Sequence, residues 1–201
     1  MKILTSWDDG KKTDLKLARL LKEYNIPAIF FIPSNCELCE EEIKSLFDMG
    51  FEIGGHTVNH YQDMKLLNDY QLKYEIEANK DWLEGIVGKK IKAFCYPRGR
   101  YNEKVIDVVK KAGFEWARTT KVLQKLTDGV CDPMEIHTSI HAYPFRPEYK
   151  GEDWVKLAKY YFLLAKEEGD IFHLWGHSLE VDKNLQWENL EKVFKFIKEN
   201  K

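Results

Sequence analysis

Short apolar segments rich in Ile, Phe, Val and Trp alternate with amphipathic segments along the chain. The apolar segments lie at residues 2–7, 28–33, 51–56, 92–97, 115–119, 135–141 and 170–177. The segments with apolar residues at helical spacing lie at 14–24, 40–49, 68–87, 102–112, 154–166 and 187–199. Strands that are each followed by a covering helix form a parallel sheet, so the sequence predicts an α/β fold. The number of strands favours a barrel-like closure over an open sheet, although periodicity alone does not separate the two.

Several element boundaries are marked by capping and turn residues. Asn25 and Pro27 are expected to end the first helix, Asn102 is a good N-cap, and Gly113 suits the position just past a helix. Residues 121–151 have no clean period and carry three prolines, so we expect a loop around a short strand there.

Length and composition favour one domain over residues 1–201. The chain is 44% hydrophobic and 13% aromatic, which is enough for one continuous core and too little for two comfortable domains. Lys and Arg number 31 against 33 acidic residues, and a net charge of -2 gives no basic field for nucleic acid or anionic lipid. We therefore expect a small neutral or weakly charged ligand, with neither nucleic acid nor a membrane as partner.

The first residues and the cysteines indicate in which cellular compartment the protein is expected to work. A signal peptide has no room before the Asp-Asp-Gly sequence, and no apolar run approaches the roughly 18 residues of a membrane span. A soluble cytoplasmic protein is expected. Cys36 and Cys39 form a C-x-x-C, while Cys95 and Cys131 stand alone, which excludes a zinc ribbon with paired knuckles. For Cys36 and Cys39 we favour small buried side chains over a redox or metal role.

Polar residues cluster at the ends of the predicted strands. Asp8, Asp9, His56, Pro97 and His177 all lie at or just past a strand's carboxyl end. Because parallel α/β folds bring these ends to one edge, we expect the site there.

All six histidines occur in H-x-x-x-H pairs. The pairs are His56 with His60, His137 with His141, and His173 with His177. On a helical turn, residues four apart are about 6 Å apart and can share a metal, whereas along a strand they are about 13 Å apart. The residues after His56 are free to turn helically, so His56 and His60 can converge. The other two pairs lie within predicted strands and are not expected to meet.

Two imidazoles are an incomplete zinc site, because a catalytic centre takes about three protein ligands and leaves one position for water. The Asp8-Asp9-Gly10 sequence offers one carboxylate as a ligand and an adjacent one as a base. Each pattern alone also has a plain structural reading, a turn for Asp-Asp-Gly and a solvated helix face for H-x-x-x-H.

Taken together, these motifs resemble the polysaccharide deacetylase family, also called the NodB homology domain or carbohydrate esterase family 4. Residues 5–10, T-S-W-D-D-G, are similar to its first motif, T-F-D-D-G, with one extra residue before Trp7. Residues 54–60, G-G-H-T-V-N-H, match its second, H-[S/T]-x-x-H. Residues 94–102, F-C-Y-P-R-G-R-Y-N, and 174–177, L-W-G-H, are looser matches to the third and fifth. The resemblance spans residues 3–178.

The resemblance implies a distorted (β/α)7 barrel of the NodB type and one divalent metal. Asp9, His56 and His60 would bind this metal, with zinc as the first expectation and cobalt, nickel or manganese as alternatives. Asp8 would be the general base.

Further roles follow from the resemblance for the remaining steps of hydrolysis. His177 would be the general acid, a role suited to an imidazole that titrates near neutrality. The backbone N–H after Pro97, which is that of Arg98, would stabilise the oxyanion.

The sequence departs from the family pattern at three places. Cys95 stands where the third motif usually has an arginine that orients the base, and the fourth motif, an Asp and a Trp, is not recognisable in residues 121–149. Gly176 replaces an apolar residue before the acid histidine, so Leu174 or Trp175 would have to line the acetyl pocket.

A buried base beside a cationic metal needs a partner that holds its rotamer. Arg118 is the candidate, because the strand that follows the one with Cys95 carries it and its long side chain could cross to Asp8. Arg98 and Arg100 are expected to be loop residues that face substrate or solvent.

For His137, His141 and His173 we expect satisfied structural histidines. His141 has an alternative role as a substrate contact in the loop beside Tyr143 and Phe145.

The predicted reaction is hydrolysis of the linear amide of an N-acetylated sugar or short oligosaccharide, with an O-acetyl ester as a variant. The alternatives are a related amidohydrolase that opens a cyclic imide or ureide, and a catalytically silent sugar-binding module. The intact Asp8, Asp9, His56 and His60 argue against the silent module.

Overall fold

The computed structural model of the chain describes residues 1–126 and 132–201, so Cys131 lies outside the described residues. In these ranges one sheet has seven strands in the order β5-β4-β3-β2-β1-β7-β6, with neighbours parallel. The strands are β1 (Lys2–Asp8), β2 (Ile29–Ile32), β3 (Glu52–Gly55), β4 (Ala93–Cys95), β5 (Trp116–Arg118), β6 (Ile140–His141) and β7 (Ile171–Gly176). The sheet curls into a distorted (β/α)7 barrel, which confirms the predicted fold class.

The helices follow the strands as the alternating pattern predicted. They are α1 (Asp14–Tyr24), α2 (Glu40–Asp48), α3 (Asp69–Val87), α4 (Glu103–Lys111), α5 (Trp154–Glu168), α6 (Ser178–Lys183) and α7 (Trp187–Asn200). Helix α6 was not predicted, because 6 residues are too few to show a helical period. It begins directly after His177.

The predicted capping residues lie at the starts and ends of these helices, as expected. Asn25 has a left-handed backbone at the end of α1, and the side chain of Asn102 accepts a hydrogen bond from the N–H of Val105 at the start of α4. Gly113 has φ 82°, a conformation that costs glycine little, just past α4.

The segment from Ile136 to His141 closes the sheet between its two edges. Ile136 forms a parallel bridge with Arg118 in β5, and five residues later His141 pairs with Trp175 in β7. The strand predicted over 135–141 is therefore too long, since β6 is only Ile140–His141. The segment changes neighbours between its two ends, and Pro133–Glu135 forms a short 3-10 turn before it.

The hydrophobic core has two parts. A large layer lies between the sheet and the helices, and a small layer lies inside the barrel. The large layer contains Trp7, Phe30 and Phe194, all fully buried. The small one is formed by Ile29, Phe31, Ala93 and Cys95. Strand β2 is buried along its whole length, as expected for a parallel strand covered on both faces.

The cysteines in the described part of the chain are free thiols. Cys95 is buried and Cys36 is half-buried, but Cys39 is exposed, so the expectation of a buried side chain is wrong for Cys39. Among the described helices, none is long and apolar enough to cross a membrane. The cytoplasmic location stays a prediction.

Candidate active site

The carboxyl ends of β1, β3, β4 and β5 bring polar residues to one edge of the barrel. Asp8 ends β1 and is followed by Asp9, and His56 follows β3. Cys95 and Arg118, the last residues of β4 and β5, are direct neighbours in the sheet. The site is thus assembled from strand ends that are distant in sequence, where parallel α/β folds place their sites.

Asp9, His56 and His60 form a compact triad. The Oδ1 atom of Asp9 lies 3.5 Å from Nε2 of His56 and 3.4 Å from Nε2 of His60. Ligands on one tetrahedral zinc with bonds of 2.0–2.1 Å are about 3.4 Å apart. Asp9 Oδ1 is also buried without a hydrogen-bond partner among the described residues. This orphaned oxygen and the ligand-like spacing fit a divalent cation.

The pKa shifts of Asp9 and His60 favour the forms that bind a metal. Burial opposes ionisation of Asp9, but its interaction with the neighbouring His56 lowers the pKa of its carboxyl below the ordinary value. Burial and the neighbouring His56 lower the pKa of His60 to about 4. An anionic carboxylate and a neutral imidazole are the forms that bind a metal.

The segment from His56 to His60 does not make the helical turn that was predicted. Thr57 and His60 have left-handed backbones with φ 67° and 49°, and this irregular turn brings the two rings to a centroid distance of 4.8 Å. The predicted convergence occurs, but its predicted mechanism is wrong.

Helix α3 holds this strained turn in place. The Glu75 carboxylate accepts hydrogen bonds from the backbone N–H and the side-chain amide of Asn59, at 2.8 and 2.5 Å. One helical turn later, Asn79 accepts a hydrogen bond from the His56 N–H at 2.9 Å. Non-glycine residues keep left-handed backbones only where surrounding contacts over-determine them, and α3 supplies those contacts.

The backbone of β4 fixes the ring of His56. Its Nδ1 lies 2.8 Å from the carbonyl oxygen of Cys95, and because a carbonyl only accepts, Nδ1 carries the proton. Nε2 is then the ring nitrogen that faces Asp9, as in metal sites where the outer ring nitrogen is held by a carbonyl.

Asp8 is buried and paired with Arg118. The Oδ2 atom of Asp8 accepts a hydrogen bond from Nη2 of Arg118, which is fully buried and also contacts the Cys95 thiol. Arg98 and Arg100 have exposed side chains, and Arg100 lies 3.6 Å from Asp63. Of the arginines that were considered, the structure brings Arg118 to Asp8, across the strand that carries Cys95.

We expect Arg118→Met to lower kcat about 100-fold while metal content stays whole, as is typical when a partner that orients a reacting group is lost. Methionine fills much of the same space but cannot hold the Asp8 carboxylate. Arg100→Met is the control, since Arg100 is exposed and lies outside this pair. Steady-state kinetics with metal analysis of both variants checks this, and an unchanged kcat in Arg118→Met would contradict it.

His177 faces both aspartates and is held from behind by Glu180. Its Nε2 lies 3.9 Å from Oδ2 of Asp8 and of Asp9, and its Nδ1 lies 2.7 Å from Oε2 of Glu180. Burial alone lowers the pKa of His177, but the hydrogen bond to Glu180 and the charges of both aspartates raise it above the ordinary value. Sequence reasoning missed Glu180. The sequence shows only a carboxylate three residues after His177, and this spacing has a meaning only once α6 is known.

His141 shares the same carboxylate oxygen. Its Nε2 lies 3.0 Å from Oε2 of Glu180, and its ring stacks on Trp175 at 3.9 Å and 9°. Burial lowers the pKa of His141 to about 4, so the ring is neutral at neutral pH. Of the two roles considered for His141, a place beside the site agrees with its ring distance of 5.5 Å from His177.

His137 and His173 have ordinary structural partners. His137 Nδ1 lies 2.8 Å from the Thr119 hydroxyl, and His173 Nε2 lies 2.9 Å from the Ser6 hydroxyl. Each thus has one ring nitrogen paired with a hydroxyl, away from the metal triad.

A second group with metal-ligand atoms is formed by His141, His177 and Glu180. Its separations of 2.7 and 3.0 Å are hydrogen-bond lengths and are shorter than the spacing of ligands on a shared zinc, about 3.4 Å. This group is therefore held by the hydrogen bond between His177 and Glu180, with His141 in close contact. Its geometry distinguishes it from the triad of Asp9.

The residues predicted to contact the substrate or stabilise the oxyanion lie in two different places. They are Pro97, Arg98 and Trp175. Pro97–Gly99 forms a short 3-10 turn after β4, in which Arg98 has φ 56°. Trp175 is only 2% exposed and lies between the stacked His141 and the Arg118 guanidinium, which is 4.4 Å from its ring. The tryptophan has little surface to offer a substrate and instead connects the two halves of the site.

The loops after β1 and β7 are tied together behind the site. The Ser178 hydroxyl donates to Asp14 Oδ1 at 2.5 Å, and the Lys11 N–H donates to Oδ2 at 2.9 Å. Burial raises the pKa of Asp14 to about 7. This contact holds the loop of Asp9 against the start of α6, next to His177.

Comparison with known proteins agrees with the motifs. The family model described as polysaccharide deacetylase matches residues 1–117. The Bacillus subtilis (strain 168) protein YxkH, provisionally named as a polysaccharide deacetylase, is 28% identical over 125 residues, which cover 59% of this chain and 44% of that protein. The peptidoglycan deacetylase of Helicobacter pylori is 27% identical over 106 residues, covering 50% of this chain and 34% of that protein. The chain thus spans less than half the length of these relatives.

The fold extends beyond the part matched in sequence. The family 4 carbohydrate esterase from Streptomyces lividans, solved in complex with acetate, superimposes with a TM-score of 0.70 at 15% identity. The superposition covers 98% of this chain and 87% of that one. The C-terminal part, which carries His177 and Glu180, therefore belongs to the same fold.

Proposed function

The chain belongs to the polysaccharide deacetylase family, and from this we propose that it is a metal-dependent hydrolase that removes the acetyl group from an N-acetylated sugar or short oligosaccharide. The proposal rests on one observation, that a metal-binding triad and an acid–base pair lie side by side. The metal-binding spacing of Asp9, His56 and His60 lies beside the Asp8 carboxylate and the His177 imidazole. A linear amide needs both a base and an acid, and this site offers one of each.

The metal would be held by Asp9 Oδ1 and by Nε2 of His56 and His60. One oxygen and two nitrogen donors at tetrahedral spacing favour zinc, with cobalt, nickel and manganese as the other outcomes of metal analysis. When bound, a divalent cation supplies Lewis acidity that lowers the pKa of water and polarises the acetyl carbonyl.

Asp8 acts as the general base. Its Oδ2 is held by Arg118, while its Oδ1 is buried without a partner among the described residues and remains to accept a proton. Asp8 takes this proton from water as the water oxygen attacks the acetyl carbon. The backbone N–H of Arg98 is the proposed donor to the oxygen that becomes negatively charged.

His177 acts as the general acid. It gives the Nε2 proton to the departing nitrogen as the carbon–nitrogen bond breaks, which releases acetate and leaves the amine on the sugar. Glu180 holds the Nδ1 proton, so that Nε2 points towards the aspartates and the reacting bond. Glu180 is thus a positioning residue for His177, in place of the fourth family motif that is not recognisable in the sequence.

The test of the function is metal analysis with an acetate-release assay. We expect one divalent ion per chain and acetate release from N-acetylglucosamine or its short oligomers. O-acetylated sugars and hydantoin-like rings belong in the same screen, because they separate an esterase or a ring-opening amidohydrolase from the proposed amidase. Absence of acetate release from every acetylated sugar by the metal-loaded protein would overturn the proposal.

We expect Glu180→Gln to lower kcat on the N-acetyl substrate about tenfold with KM unchanged, as for the loss of an outer partner of a reacting histidine. Hydrolysis of p-nitrophenyl acetate should change little, because nitrophenolate leaves without protonation by His177. Asp182→Asn is the control, since this carboxylate lies on the same helix and accepts from Trp187 at 2.7 Å. Equal losses on both substrates would show that Glu180 acts through the structure as a whole.

A further inference from the structure

The two segments that carry the proposed base and acid leave neighbouring strands side by side. Trp7 of β1 pairs with Gly176 of β7, and the next residues in each segment are Asp8 and His177. Helix α6 begins at Ser178, directly after His177. The position of His177 therefore depends on how the start of α6 is held against the loop that follows β1.

Buried hydrogen bonds join the start of α6 to the loop after β1. The Ser178 hydroxyl donates to Asp14 Oδ1 at 2.5 Å, and the other oxygen of Asp14 accepts from the Lys11 N–H at 2.9 Å. The hydroxyl oxygens of Thr13 and Ser178 are 2.7 Å apart, and because the Ser178 proton goes to Asp14, Thr13 is the donor to Ser178. Thr13 is the N-cap of α1, but its side chain makes no capping hydrogen bond there, so its hydroxyl serves this link instead. Both Asp14 and Ser178 are fully buried.

The loop after β1 is also held by contacts that do not involve α6. The Asp9 N–H donates to the Phe31 carbonyl at 3.1 Å. The Gly10 carbonyl accepts from the N–H groups of Glu37 and Leu38, at 3.0 and 3.2 Å. Helix α6, in contrast, has only 6 residues, and a helix of this length needs contacts with the rest of the protein to stay formed. Of the two sides of the link, α6 is therefore the one whose position depends on it.

We infer that Asp14 and Ser178 are positioning residues for the reaction, because their hydrogen bond fixes the start of α6 and with it the acid His177. The anchored loop holds Asp14, Asp14 holds Ser178, and the adjacent His177 keeps its Nε2 3.9 Å from Oδ2 of both Asp8 and Asp9. Precise placement matters for the rate, since a displacement of about 1 Å can cost about 100-fold. The inference rests on the proposed function, in which His177 protonates the departing nitrogen.

The test begins with Ser178→Ala in the metal-loaded protein. We expect kcat for acetate release from the N-acetyl sugar to fall about tenfold, with KM and metal content unchanged. Hydrolysis of p-nitrophenyl acetate should change little, because nitrophenolate leaves without a proton from His177. Asp14→Ala should give the same loss as Ser178→Ala, and the double variant no further loss, since each change removes the same hydrogen bond.

Asp14→Asn is the conservative variant and should keep the wild-type kcat, because an amide can bond to the Ser178 hydroxyl through either its oxygen or its NH₂ group. Asn184→Ala is the matched control, since Asn184 lies at the other end of α6 and its side chain donates to the Glu180 carbonyl within that helix, at 2.8 Å. Equal losses of Ser178→Ala on the amide and ester substrates, or a kcat of Asp14→Asn as low as that of Asp14→Ala, would overturn the inference.

Amide hydrogen exchange separates this inference from the proposed function, because it needs no turnover. The N–H groups of Glu180 and Val181 donate to the His177 carbonyl at 3.0 and 3.1 Å. In Ser178→Ala these two amides should exchange about tenfold faster, whereas the Asp9 amide should keep its wild-type rate. If this result is found and the wild type releases no acetate, the function fails and the positioning of His177 stands. Wild-type exchange and wild-type kcat in Ser178→Ala overturn the inference, while acetate release upholds the function.

Discussion

Asp8→Asn is expected to lower kcat about a thousandfold, within the 10²–10⁴-fold range for loss of a general base, while one metal stays bound per chain. Asparagine has the shape of aspartate and can still accept a hydrogen bond from Arg118, but it cannot take a proton from water. The measurement is kcat with metal analysis of the same sample.

Two comparisons make the Asp8→Asn result specific. The loss should be equally large on the N-acetyl sugar and on p-nitrophenyl acetate, because activation of water precedes departure of either leaving group. Asp9→Asn should instead lose metal, since Asp9 Oδ1 is the oxygen within 3.5 Å of both imidazoles. Loss of metal from Asp8→Asn, with metal retained in Asp9→Asn, would show that the roles of the two aspartates are exchanged.

His60→Ala is expected to abolish stoichiometric metal and reduce turnover to background. With one of three ligands gone, we expect affinity to fall by more than the 10–100-fold typical of an outer-shell loss. His60 is the cleaner position, because His56 also holds a hydrogen bond to Cys95 in the core. Metal titration of the apoprotein measures this directly.

His137→Ala is the matched control for the metal experiment. It also belongs to an H-x-x-x-H pair, but its Nδ1 is bonded to Thr119 and it lies outside the triad. It should bind metal as the wild type does. Full occupancy in both His56→Ala and His60→Ala would remove the basis for the proposed metal centre.

The sequence predicted much of the fold because its long elements carry their own signals. Helices α1, α3 and α4 have both a clear apolar period and good capping residues, such as Asn102 and Gly113. The contact of Arg118 with Asp8 was also predicted, because parallel strands bring their carboxyl ends to one edge and a guanidinium is long enough to reach past Cys95.

The features that were missed are short or depend on distant partners. Helix α6 has no period to detect, so Glu180 could not be assigned to the same face as His177. The turn from Thr57 to His60 depends on Glu75, whose position relative to the turn is set by the packing of α3. The two-part path of residues 136–141 depends on barrel closure, which local patterns do not encode.

The place of β1 in the sheet has a consequence for how the protein is made. β1 pairs with β2 on one side and with β7 on the other, where Lys2 is opposite Ile171. Synthesis delivers all three proposed metal ligands before β7, which begins at Ile171. Until then the nascent chain carries β1 with one edge unpaired, which is the kind of surface that recruits other chains. A sheet in which β1 pairs with β7 also has many long-range contacts, so its final folding step should be slow.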